Sequence, residues 1–88
     1  MKTSGRPWSI RLQNASIALG ARRHHFVGQT PIPFLCECED AGCDAYVEIR
    51  LTEYDSLRDR RLHVVADRHR IAGASVVQRA PGYLAIAV

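Results

Sequence analysis

The stretch Phe34-Leu35-Cys36-Glu37-Cys38-Glu39-Asp40-Ala41-Gly42-Cys43 holds all three cysteines of an 88-residue chain. In an extended strand, residues i and i+2 project to the same face, so Cys36 and Cys38 can point together. The acidic turn that ends at Gly42 can then swing Cys43 back to meet them. Three thiolates converging on one point call for a cation. Zn2+ in structural sites takes four tetrahedral ligands, most often cysteine sulfur and histidine nitrogen. Bound in small finger peptides it contributes roughly 10–16 kcal/mol, which equals or exceeds the net stability of an ordinary domain. A chain this short buries only about 60–65% of its surface on folding, and such chains commonly need a staple.

An odd number of cysteines cannot close a disulfide set. The opening MKTSGRP lacks the apolar core of a signal peptide. With no secretion signal the cytoplasm is the expected compartment, where thiols stay reduced and clustered cysteines serve naturally as metal ligands. Apolar residues make up 47% and charged residues 24% of the chain, the composition of a folded globular protein. The longest apolar run is about seven residues, far below the roughly 20 needed to span a bilayer, so no membrane partner is expected.

The fourth ligand is sought among His24, His25, His63 and His69. His69 fits best, in a loop after a strand, where its side chain is free to reach in. His63 lies within that strand and remains the alternative. His24 and His25 close the first helix, with two prolines between them and the cysteines.

Outward from this stretch, residues 1–7 read as a flexible start and residues 8–88 as a single zinc-stabilised domain. A helix is expected from about 8 to 25, because Trp8, Leu12, Ala15 and Leu19 recur at spacings of four, three and four, one apolar face. Residues 27–33 read as a linker, with Pro31 and Pro33 favouring extended chain. The β-rich part, about 33–88, contains strands at 34–38 and 45–51. A short helix opens on a Thr52–Asp55 capping box and closes on Arg58, Arg60 and Arg61. Further strands at 62–66, 75–79 and 83–88 follow, the last two joined as a hairpin by Ala80-Pro81-Gly82. The fold class is α+β: an N-terminal helix, then a small zinc-stapled antiparallel β unit containing one short helix and a C-terminal hairpin.

The cysteine stretch, followed by Leu51-Thr52-Glu53-Tyr54 with Arg58, Val64-Val65 and His69, resembles a group of small uncharacterised bacterial proteins, many of them actinobacterial. Their pattern is F-[LV]-C-E-C-x4-C, then an L-T…E-Y…R helix start, a strand and a histidine. The helix bearing Arg11 and Asn14 also resembles that group, so the likeness covers about residues 11–88. It implies that Cys36, Cys38, Cys43 and His69 form one metal site, and it implies no reaction. The L-T to E-Y spacing is shorter here, and Asp67-Arg68 stands where the group carries Pro-Gly.

Three functions follow from these residues. The first is a non-catalytic protein-interaction module whose Cys3His zinc is structural. The second is a nucleic-acid-binding regulator, with phosphates contacted by Arg11, Arg22, Arg23, Arg58, Arg60 and Arg61. Against it, five acids (Glu37, Glu39, Asp40, Asp44 and Glu48) surround the cysteines, so nucleic acid would avoid that end. Those acids could instead attract the five bases of residues 1–30. The third is a zinc or thiol enzyme with an open metal position and Glu37 or Glu39 as acid–base. No HExxH, deaminase or phosphate-loop pattern occurs to support it.

Overall fold

In the computed structural model, residues 6–24 and 30–88 are described. The chain runs α1 (Arg6–Arg23), β1 (Pro31–Leu35), β2 (Tyr46–Arg50), α2 (Leu51–Asp59), β3 (His63–Ala66), β4 (Ser75–Ala80) and β5 (Tyr83–Ala87). The architecture is α+β, with two antiparallel sheets where one was expected: a β1-β2 pair and a three-stranded sheet in the order β3-β5-β4. The expected flexible start lies mostly outside the described residues, but Arg6 and Pro7 already belong to α1. His25 also lies outside them.

Strand β1 takes up part of the expected linker. Pro31 and Pro33 fit because of amide parity. Leu35 N–H donates to Asn14 Oδ1, away from β2, whereas Cys36 N–H donates to Ala45 O on the β2 side. Pro31 and Pro33 share the parity of Leu35, so no ladder donor is lost. Ile32 and Phe34 point inward, opposite Ile49 and Val47.

The N-cap of helix α2 lies two residues earlier than expected. Arg50 stands at its N-cap with no side-chain cap hydrogen bond, so Thr52 sits inside the first turn and the capping box does not form. Leu51, Tyr54 and Leu57 are buried, each worth about 1.5–3 kcal/mol. Tyr54 stacks on Phe34 with ring centroids 4.0 Å apart. The helix closes with Arg61 N–H donating to Arg58 O and Leu62 N–H to Leu57 O. That is a Schellman closure, with Arg61 in the left-handed position at φ 60°. The hairpin turn is as expected, Gly82 taking φ 89° after Pro81.

Helix α1 is rotated relative to the expected stripe. Ile10, Asn14, Ala18 and Ala21 are buried, and the helix packs on β1. Trp8, Leu12 and Leu19 are 56%, 71% and 48% exposed. Apart from Ile10 the inward face is built from small side chains, because the helix lies close against β1 and exchanges two hydrogen bonds with the Leu35 backbone through Asn14, one accepted and one donated.

Candidate metal centre

Three segments meet at one end of the fold. Strand β1 stops at Leu35, and Cys36, Glu37 and Cys38 follow in irregular chain, all three buried. Consecutive burial replaces the strand alternation expected for residues 34–38. The turn after them is pinned by Asp40, whose Oδ1 accepts from Gly42 N–H at 2.9 Å and whose carbonyl accepts from Cys43 N–H at 3.0 Å. That directs Cys43 back. From the other side comes the loop after β3, where His69 N–H donates to Ala66 O. Arg68 takes φ 72° there, the left-handed conformation that a glycine would supply most cheaply.

The result is a cluster of Cys36, Cys38, Cys43 and His69 whose ligand atoms all lie within 4.8 Å of one another. His69 Nδ1 is 3.4 Å from both Cys36 Sγ and Cys43 Sγ. The three cysteines are not joined by disulfides. Four convergent soft and borderline donors can hold one metal ion.

The electrostatics favour a cation. Burial pushes the Cys36 thiol up to about 12, against the pull of the Ala66 and Cys38 amides. Ala66 N–H donates to Cys36 Sγ at 3.1 Å, an outer contact of the kind that orients a metal ligand. A thiol so desolvated becomes a thiolate only with a positive charge beside it, so metal binding releases a proton there. Glu39 Oε1 accepts from Ala72 N–H at 3.0 Å and ties the cysteine turn to the β3–β4 loop.

His63 lies elsewhere. Its ring is 1% exposed, with Nδ1 3.3 Å from Glu37 Oε1. Neither ring nitrogen has a hydrogen-bond partner among the described residues. Trp8 meets it edge-on at 4.8 Å. His24, on the turn after α1, is exposed.

Sequence reasoning missed a buried polar brace behind the cluster. Asn14 Nδ2 donates to Glu37 Oε2 at 2.7 Å and to Leu35 O at 2.9 Å, and Glu37 Oε1 accepts from Val64 N–H at 2.9 Å. Glu37 therefore faces inward, joining α1, the cysteine segment and β3, and is not part of an acidic surface. The only signal was position: Asn14 lies four residues from both Ile10 and Ala18, on the face that turned out to be buried.

The arginines are dispersed. Arg22 pairs with Asp55 of α2, not with the acidic turn. Arg58 donates to Tyr54 Oη and Arg11 O, and Arg60 to Gln78 Oε1. Arg11 lies over the Trp8 ring, and Arg23 and Arg61 are exposed. No helix among the described residues is long and apolar enough to cross a membrane. Comparisons with family models, curated proteins and solved structures return no match to this chain.

Proposed function

We propose that this is a small cytoplasmic, non-catalytic protein whose Cys3His site holds a structural zinc and which acts by binding another protein. The observation that carries the reading is the donor set: three sulfurs and one imidazole nitrogen, gathered within 4.8 Å from three segments. Zinc bond lengths of about 2.3 Å to sulfur and 2.0–2.1 Å to nitrogen give tetrahedral edges of about 3.5–3.8 Å. The two sulfur–nitrogen separations of 3.4 Å already match. Four protein ligands fill a tetrahedron and leave no position for a substrate or an attacking water.

The two carboxylates weighed as acid–base groups support a structural role. Glu37 is committed to Asn14 and Val64, and Glu39 to Ala72. Metal analysis with a thiol count on native protein tests the reading. One tightly held zinc per chain and no reactive thiol are expected. Reactive thiols without metal would favour redox or nucleophilic chemistry instead.

One observation favours a second reading, nucleic-acid binding, at a surface other than the helix arginines. Arg68, Arg70 and Arg79 line a groove of about 300 Å3 beside the metal centre, together with Asp67, His69, Val76 and Leu84, and none of the three arginines is in an ion pair among the described residues. Titration of a labelled oligonucleotide at two salt concentrations decides it. Phosphate binding must weaken steeply as salt rises, and absence of binding at low salt removes this reading.

A further inference from the structure

Helix α1 has apolar residues on two opposite faces. One is spent on the fold: Ile10, Ala18 and Ala21 are buried. The other holds Trp8, Leu12 and Leu19, which are among the most exposed large apolar side chains described. A helix apolar on both sides is normally covered on both sides.

The outward residues have a definite pattern. Trp8, Leu12, Ala15 and Leu19, at spacings of four, three and four, are the d, a, d and a positions of two heptads. This is the seam that a second helix packs against. Its span of about 16 Å at 1.5 Å per residue is three turns. The seam is also held in place. Trp8 is pinned edge-on against buried His63, 4.8 Å away, and Arg11 lies 5.6 Å from the centre of its ring.

Charge selects the occupant. In this register Arg11 takes a g position and Arg23 an e position, the places that set partner choice in paired helices. The sequence from Arg6 to Arg23 contains no acidic residue. A second copy of α1 carries the same positive charge and offers these arginines no acid, whereas glutamates or aspartates at e and g of a foreign helix would meet these cations.

We infer that the outward face of α1 is a docking seam for an acidic amphipathic helix of another protein, packed along Trp8, Leu12 and Leu19 and flanked by Arg11 and Arg23. The inference rests on the interaction-module reading and names its partner by chemistry.

The test uses the zinc-loaded full chain and a synthetic three-heptad peptide with leucine at a and d and glutamate at e and g. Trp8 is the only tryptophan, so its emission reports on the seam directly. The peptide should shift that emission to the blue and bind more weakly as salt rises. Leu12→Glu should weaken binding by at least about tenfold, and Arg23→Glu should weaken it too. Leu12 is 71% exposed, so Leu12→Glu should keep the wild-type circular dichroism and zinc content. No blue shift from folded, zinc-loaded protein would overturn the inference, as would equal binding of a lysine-flanked peptide. A concentration-dependent blue shift of the chain alone, with dimers in sedimentation, would assign the seam to a second copy. A shift with anionic vesicles but not with the peptide would assign it to a membrane surface. Either of these results also rejects it. Failure of the zinc reading shows separately, as absent metal or a fold indifferent to chelation.

Discussion

Replacing Asn14 by alanine should be among the most damaging single changes outside the metal ligands. Asn14 is fully buried and makes three hydrogen bonds of 2.7–2.9 Å, two to the Leu35 backbone and one to the Glu37 carboxylate. A neutral intramolecular bond contributes about 1 kcal/mol net, and one to a charged group about 1.5–3 kcal/mol. Alanine removes all three and leaves the Leu35 amide, its carbonyl and one Glu37 oxygen without these partners in a dry interior. The loss comes to about 3–5 kcal/mol, out of a total stability on the order of 5–15 kcal/mol. Urea unfolding at fixed free zinc is the assay, because metal binding itself adds to apparent stability. With m near 1–2 kcal/mol/M the midpoint should fall by about 1.5–5 M. Leu12→Ala is the control. Leu12 is the most exposed large apolar residue of the helix, and its loss should stay within about 0.5 kcal/mol. If instead Leu12→Ala cost 3 kcal/mol or more and Asn14→Ala less than 1 kcal/mol, α1 would face the other way and the brace behind the metal centre would be wrong.

Further outcomes follow from the same geometry. His69→Ala should cut zinc affinity by orders of magnitude, whereas His63→Ala should keep one zinc per chain; titration with a chromophoric chelator measures both. Arg61 and Arg68 adopt left-handed φ values of 60° and 72°, so Arg61→Gly and Arg68→Gly should each raise stability by up to about 1 kcal/mol in the same urea assay. Burial raises the phenol pKa of Tyr54 and Tyr83, and Tyr83 is raised further by its bond to Glu53. The folded state therefore favours neutral phenols. Their contribution is complete below the unfolded value of about 10 and is lost as pH rises above it. Two of the chain's three tyrosines should become phenolate only as the chain unfolds at alkaline pH, and ionisation of all three in a still-folded chain would contradict the assignment.

How far the sequence reached depended on what each signal encodes. The strands at 46–50, 75–80 and 83–87 were visible from β-rich runs and the Pro81-Gly82 turn, because those features act locally. The convergence of Cys36, Cys38 and Cys43 was legible from spacing, and His69 from its place in a loop. Helix α1 was legible as a helix but not in its orientation. Periodicity finds stripes without saying which one faces in, and here the inward stripe is the less hydrophobic one, with a buried asparagine at its centre. Glu37 was misplaced for a related reason: counting charges assumes they are solvated, and its partner Asn14 is 23 residues away. The prolines of β1 misled because their compatibility with a strand depends on amide direction, which only the register fixes.

The central claim is that one metal ion, held by sulfur from residues 36–43 and by His69, is what keeps the fold together. The most direct measurement is far-UV circular dichroism through thermal unfolding, before and after exhaustive chelation, with the released metal quantified. The account predicts one zinc per chain and loss of the cooperative transition once it is removed, with recovery on adding zinc back. A chelated chain that still unfolds cooperatively at the same temperature, with no metal recovered, would contradict it.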